Sequence, residues 1–100
     1  MLYESRRSGK KFTIVDPESA KEVHFGDANY EDFTEHGDED RKASYLKRHR
    51  PGQRWDDPNT AGFWARWLLW NKPTLSESIE DTEGRFNLHI VLEKKSLRDM

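Results

Sequence analysis

A cluster of cations and aromatic residues near the middle of the chain carries the clearest chemistry in the sequence. Residues 41–54 hold six lysines and arginines, no acidic residue and Tyr45, and Trp55 follows directly. Lys and Arg side chains contact phosphate, and unpaired bases stack on Tyr and Trp rings. The pattern therefore predicts a surface that binds phosphate or acidic groups. Its predicted partner contacts are Arg48, Arg50 and Arg54, and its further phosphate contacts are Arg41, Lys42 and Lys47.

The segment that precedes this basic block has the opposite charge. Residues 16–40 contain ten Asp and Glu residues and one Lys. Either the two blocks face solvent and partly neutralise each other, or one of them marks an interaction surface. Residues 27–40 could in that case imitate a nucleic acid. The net charge of -2 argues against a dedicated nucleic-acid-binding domain, which is usually strongly basic.

Metal binding and catalysis have weaker support in the sequence. His36, Asp38, Glu39 and Asp40 could ligate a hard cation, but an acidic first turn behind a capping Asp explains the same residues. The chain has no Cys, which excludes disulfides, thiol catalysis and Cys-ligated metals. It also lacks a nucleophile-elbow motif and a glycine-rich phosphate loop. We therefore predict a protein that is not an enzyme and that has no cofactor and no metal.

The most apolar part of the chain is a second candidate contact surface. Residues 58–71 contain three of the four tryptophans, and their apolar side chains would lie all round a helix. Most of these side chains should form the core. Four large aromatic side chains cannot all face one small sheet, however, and exposed aromatic residues are typical anchors at protein interfaces. The tryptophans predicted to contact a partner are Trp55, Trp64 and Trp70.

Two short segments near the N-terminus predict a β-hairpin. Residues 11–16 and 21–25 are rich in β-branched and aromatic residues, and a Pro-containing turn lies between them. Residues 86–92 alternate apolar and polar side chains, which predicts a further strand near the C-terminus. The residues predicted to face each other across the hairpin are Phe12, Ile14, Val23 and Phe25.

Three helices are predicted between the hairpin and the last strand. They cover residues 39–50, 58–71 and 75–84, and a turn-rich loop with Tyr30 and Phe33 as apolar anchors comes before them. Their predicted N-caps are Asp38, Asp57 and Thr74.

These elements predict an α+β fold. A small three-stranded antiparallel sheet, made of the N-terminal hairpin plus the C-terminal strand, should pack against two or three helices. With 100 residues the chain is long enough for one domain. We predict a polar arm over residues 1–9, one domain over residues 10–92 and a charged C-terminal tail over residues 93–100, with both ends available for docking.

Several short motifs also resemble a known family. The chain resembles small uncharacterised proteins of large double-stranded DNA viruses and tailed phages over about residues 10–90. The motifs that carry the resemblance include His24-Phe25-Gly26, Gly62-Phe63-Trp64 and Leu68-Leu69-Trp70. The resemblance implies a viral protein. It implies no mechanism and no catalytic residue.

Together these observations predict a small non-enzymatic viral protein that docks on another macromolecule, with a virion or capsid-associated component as the first choice. One alternative is a nucleic-acid-binding or genome-condensing protein that uses residues 41–54. Another is a host-takeover inhibitor that uses the acidic residues 27–40. The N-terminus lacks the apolar run of a signal peptide, so we expect a location in the virion or in the host cytoplasm or nucleus. The expected partner is a viral or host protein, with nucleic acid as an alternative and no membrane.

Overall fold

The sheet begins earlier in the chain than the sequence predicts. The structure is a computed structural model and describes residues 1–5, 8–16, 19–52 and 54–92. Within them, strands β1 (Leu2–Glu4), β2 (Lys10–Val15) and β3 (Glu22–Asp27) form one antiparallel sheet in the order β1-β2-β3. The predicted α+β class and three-stranded antiparallel sheet are therefore confirmed.

The predicted register of the hairpin is also confirmed. Phe12 pairs with Phe25 and Ile14 pairs with Val23, so these apolar side chains share one face. The alternation of side chains along a strand makes this face the one that packs against the core. Leu2 pairs with Ile14 and adds a completely buried side chain to the same face.

The identity of the third strand is a correction. Residues 86–92 were predicted to form it, but Phe86 is the last residue of a helix, and only Leu92 reaches the sheet, through a parallel bridge to Leu2. The amide of Leu2 donates to the carbonyl of Val91 at 2.8 Å. Strand β1 occupies the edge of β2 instead, so Leu2–Glu4, which lie within the predicted polar arm, belong to the sheet. The predicted tail, residues 93–100, lies outside the described residues.

The helices differ from the prediction mainly at their ends. Helix α2 begins after Asp38, whose carboxylate accepts the amides of Asp40 and Arg41, as predicted. The N-cap of the next helix is Thr60 and not the predicted Asp57. Asp57 lies in the turn before this helix, where its carboxylate accepts the amide of Asn59. The helices are α1 (Phe33–His36), α2 (Glu39–His49), α3 (Ala61–Trp64) and α4 (Leu75–Phe86), and a 3-10 turn (Arg50–Gly52) follows α2.

Helix α3 continues without a break into a π-helical turn, Ala65–Leu69, which we call the π turn. The amide of Trp70 closes it by donating to the carbonyl of Ala65 at 3.1 Å. Helix α4 starts at the predicted cap, Thr74, but runs past Gly84 and ends at Asn87, whose φ is 55°.

The core lies between the sheet and the segment formed by α3 and the π turn. Phe25 and Phe63 are completely buried at its centre, and Leu68 packs beside them. Helix α4 closes the other side of this segment, where the hydroxyl of Thr82 contacts the carbonyls of Trp67 and Ser78 at 3.1 and 2.7 Å.

Candidate docking groove

Three aromatic rings form a stacked column that joins α2 to the end of the π turn. The rings of Trp70 and Tyr45 are parallel, with 3° between their planes and 4.2 Å between their centroids. The imidazole of His49 stacks on the other side at 4.1 Å from Tyr45. Tyr45 and His49 lie four residues apart on α2, so helix geometry alone brings their side chains together. We call these three residues the aromatic column.

The tyrosine in this column is a stacking surface and not an acid or base. Tyr45 is only 9% exposed. Burial raises its pKa to about 12, although the nearby Arg66 and Arg48 oppose the shift. The phenol is therefore neutral at physiological pH, and its ring is enclosed between the rings of Trp70 and His49.

A groove of about 690 Å³ runs along this column. Its volume lies in the range typical of sites that accept a ligand or a segment of a partner. Helix α2 forms one wall, the end of the β2–β3 hairpin and the following loop form the other, and Leu69 and Trp70 lie between them. Tyr30 stands on the second wall with 71% of its surface exposed. We call this feature the α2 groove.

Charges of both signs line the α2 groove. Arg41 and Arg48 line it from α2, and Asp27 and Glu31 line it from the opposite wall. Lys11 also lines it, but the other residues of the fold already balance its charge. The full set of charged lining residues is Lys10, Lys11, Arg41 and Arg48 with Asp27, Glu31, Asp32 and Asp40.

The partners of Lys11 are two carboxylates of the acidic segment. Its ammonium contacts Asp32 at 2.6 Å and also contacts Glu35. Burial alone would lower the pKa of Lys11, but the hydrogen bonds to these two carboxylates outweigh burial and raise it. The Lys11 ammonium in turn lowers the pKa of Glu35. These three residues therefore tie β2 to α1 and have a structural role.

The predicted basic block does not form one surface. Arg41 and Arg48 are seven residues apart, two turns of α2, so both face the α2 groove. Lys47 and Arg50 are exposed but do not line the groove, and Lys42 is turned toward the fold, where its ammonium donates to the carbonyl of Asn71 at 2.7 Å. Arg54 lies in the loop before α3, exposed and 3.5 Å from Asp56.

The three tryptophans predicted to contact a partner also lie in different parts of the structure. Trp70 belongs to the aromatic column and lines the α2 groove. Trp64 is 6% exposed and its indole N–H donates to the carbonyl of Pro58 at 2.7 Å, so the structure places it in the core and not on the surface. Trp55 is half-buried beside Arg66 and does not line the groove.

Three acids of the acidic segment accept hydrogen bonds in caps and turns. Asp32 and Asp38 cap α1 and α2 through their side chains, and a carboxylate oxygen of Asp27 accepts the amide of Asn29 at 2.9 Å. Helix caps and turns therefore explain these acids.

The exposure of one groove residue, Tyr30, differs from the sequence prediction. Tyr30 was predicted to anchor the acidic loop together with Phe33. Phe33 is 2% exposed and confirms its half of the prediction, whereas Tyr30 is largely exposed. The signal that separates them is position, because Phe33 begins α1 while Tyr30 follows a turn at Asp27.

The described residues contain no cluster of three or more His, Cys, Asp or Glu side chains that could hold a metal ion. His36 and Asp38, which the sequence offered as ligands, are instead joined by a hydrogen bond from the amide of Asp38 to the His36 ring at 2.9 Å. In the described part of the chain, no helix combines the length and the apolar character of a membrane span.

Comparison with known proteins gives one finding. Residues 1–49 match the model of a family of unknown function, DUF5754. The match includes the whole sheet and helix α2, and hence Arg41, Arg48 and Tyr45. It excludes Trp70, which completes the aromatic column from the second half of the chain. No curated protein and no solved structure matches the chain.

Proposed function

We propose that this is a non-enzymatic docking protein that binds a segment of a partner protein in the α2 groove. The observation that carries the proposal is the aromatic column, which lies along the groove between Arg41 and Arg48 on one wall and the exposed Tyr30 on the other. Aromatic residues and arginines are the side chains that contribute most often to the energy of protein interfaces.

Rigidity of the column supports the same role. A side chain that loses rotamer freedom on binding costs about 0.5–1.5 kcal/mol, so contacts that are already ordered bind more tightly. Trp70 and Tyr45 hold each other parallel before any partner arrives, and His49 covers the second face of Tyr45. The free edge of this column can therefore contribute apolar contact at little entropic cost.

The charges of the groove favour a protein over a nucleic acid. A polynucleotide would bring phosphates toward both walls, and those near Asp27 and Glu31 would be repelled. A protein segment can present an acidic residue to Arg41 and Arg48 and a basic residue to the opposite wall. An apolar side chain between these two charges would contact the aromatic column.

We place this partner in the virion or capsid, on the ground of the sequence resemblance to proteins of large DNA viruses and phages. This setting makes a prediction of its own. Mass spectrometry of purified particles should find the chain at a constant ratio to the major capsid protein after a high-salt wash. Complete removal by the wash would contradict a place in the particle.

The groove is tested with a random peptide library displayed on phage and selected on the full chain. We expect enriched peptides with an apolar residue flanked by acidic and basic residues. Their affinity should fall at least tenfold for the variants Arg48→Glu and Tyr30→Ala. Arg50→Glu is the matched control, since Arg50 is also an exposed cation next to α2 but does not line the groove.

Two outcomes would overturn the proposal. One is a set of selected peptides that bind the Arg48→Glu and Arg50→Glu variants equally. The other is tight, salt-sensitive binding of labelled single-stranded or duplex nucleic acid that depends on Arg41 and Arg48, which would move the function to the nucleic-acid alternative.

A further inference from the structure

Two cations meet behind the α2 groove without a carboxylate on either of them. The ammonium of Lys42 donates to the carbonyl of Asn71 at 2.7 Å, and the guanidinium of Arg66 donates to the carbonyl of Trp70 at 3.1 Å. These are consecutive carbonyls of the chain, so both cationic groups contact the backbone where the π turn ends. Within the described residues, neither cation lies within ion-pair distance of an acid.

Arg66 is held in place by aromatic rings. Its guanidinium lies over Trp67 at 4.2 Å and over Trp55 at 5.4 Å from the ring centroids. Its Nε–H is buried and has no hydrogen-bond partner in the described part of the chain, and the same is true of the indole N–H of Trp55. A half-buried guanidinium with spare donors is pre-organised to receive an oxygen ligand.

The surrounding charges add to the positive potential. Arg85 lies over the same Trp67 ring at 4.6 Å, and Lys72 follows Asn71 directly in the chain. Asp81 balances part of this charge through contacts with Asn71 at 2.8 Å and with Arg85 at 3.3 Å. Glu39 acts on Lys42, and Glu77 and Glu80 line the surface that Lys72 and Arg85 share with Asp81.

Burial is the main cause that lowers the pKa of both central cations. Burial lowers the pKa of Lys42, and the neighbouring Arg66 and Lys72 lower it further, although Glu39 and Asp81 oppose them. Burial also lowers the pKa of Arg66, with Arg85 as the next contribution. An anion placed between these groups would relieve both effects.

We propose that Lys42 and Arg66 form the centre of an oxyanion-binding site, which takes a phosphate or carboxylate group. The planar guanidinium can bind two oxygens of such a group in parallel, and the ammonium supplies a point charge beside it. Arg85 and Lys72 are exposed at the site and increase its attraction for anions. The sequence alone does not reveal the site, because its cations come from separate parts of the chain: α2, the π turn, the loop after the π turn and α4.

The site is independent of the peptide-binding proposal. Neither Lys42 nor Arg66 lines the α2 groove, so the two proposals are tested on different side chains. A negative result in the peptide selection thus leaves the oxyanion site unaffected.

The test is calorimetric titration of the full chain with inorganic phosphate and, separately, with acetate, each against sodium chloride at equal ionic strength. We expect saturable binding of at least one of these anions and a rise of the melting temperature with its concentration. Phosphate binding alone would identify a phosphate ligand, and acetate binding alone would identify a carboxylate ligand such as an acidic side chain.

Matched variants locate the binding. Lys42→Gln should weaken it at least tenfold, whereas Lys47→Gln, the same change at an exposed lysine of the same helix, should leave it unchanged. Arg66→Lys keeps the charge but removes the planar fork, so it should also weaken binding. Circular dichroism confirms that each variant is folded. No saturable binding of either anion, or equal binding by Lys42→Gln and Lys47→Gln, would overturn the proposal.

Discussion

Gly26 is the position where a single methyl group should test the packing between the sheet and the π turn. Its φ is 82°, a backbone conformation that residues other than glycine rarely adopt. A Cβ built there would lie 2.7 Å from Cδ1 of Leu69 and 3.2 Å from Cβ of Lys11. Leu69 is 1% exposed and cannot move away without disturbing the core. Gly26→Ala should therefore act on both backbone strain and packing.

The size of the effect follows from these two contributions. The left-handed conformation costs a residue with a Cβ about 1–2 kcal/mol, and overpacking a well-filled site costs about 1–3 kcal/mol. We expect Gly26→Ala to lower the free energy of unfolding by about 2–5 kcal/mol, a large part of the total for a domain of this size. The assay is equilibrium unfolding in urea, followed by tryptophan fluorescence.

Gly37 provides the control. Its φ is 62° and a Cβ there would meet nothing within 4 Å. Gly37→Ala should therefore show the backbone cost alone, about 1–2 kcal/mol. In the double variant Gly26→Ala/Leu69→Ala the contact with Cδ1 of Leu69 is removed, so the loss of unfolding free energy should be smaller than the sum of the losses in the two single variants. Equal destabilisation by Gly26→Ala and Gly37→Ala would refute the reasoning.

Three further predictions concern charge, capping and a buried hydroxyl. The lowered pKa of Glu35 means that its contribution to stability is present above its unfolded pKa of 4.5 and is lost as the pH falls through its lower folded value. In Lys11→Met the loss of melting temperature in this acidic range should be smaller than in the wild type. Thr74→Ala should destabilise by about 1 kcal/mol in urea unfolding because it removes the cap of α4, while Ser76→Ala, at an exposed position, should change stability little. Thr82→Val should cost about 1–3 kcal/mol in the same assay, since it leaves buried carbonyls without their hydroxyl partner. A Thr82→Val variant as stable as the wild type would contradict a stabilising role of this hydroxyl.

The hairpin was predictable because its information is local. Phe12, Ile14, Val23 and Phe25 alternate with polar residues on both sides of one turn, and only one register places all four on one face. The prediction of a C-terminal strand was wrong for a related reason. Residues 86–92 alternate equally well, but helix α4 extends over Phe86, and β1 has already taken the free edge of β2.

Strand β1 could not be found from its own pattern. It is three residues long and contributes only one completely buried side chain, Leu2, inside a segment rich in charge. Its stability depends on pairing with β2 and on contact with residues 91–92, which are distant in the sequence. Contacts of this kind carry no local signal.

The candidate site was half predictable. Helix periodicity is enough to place Arg41 and Arg48 on one face, and the aromatic content of the third predicted segment suggested an exposed tryptophan at Trp70. The opposite wall of the groove comes from residues 27–31, and only tertiary structure places it across from α2. The same holds for Lys42 and Arg66, which meet at the end of the π turn.

The π turn sets the direction of Trp70 relative to Trp64. An α-helix turns by about 100° per residue, so one residue more or fewer between Trp64 and Trp70 rotates Trp70 by that angle. With the wider turn, Trp64 points into the core and Trp70 reaches Tyr45. A single-residue deletion in Ala65–Leu69 would therefore leave Trp64 and Trp70 in the sequence but turn one of them away from its present contacts. The length of this turn, and not only its side chains, links the core to the groove.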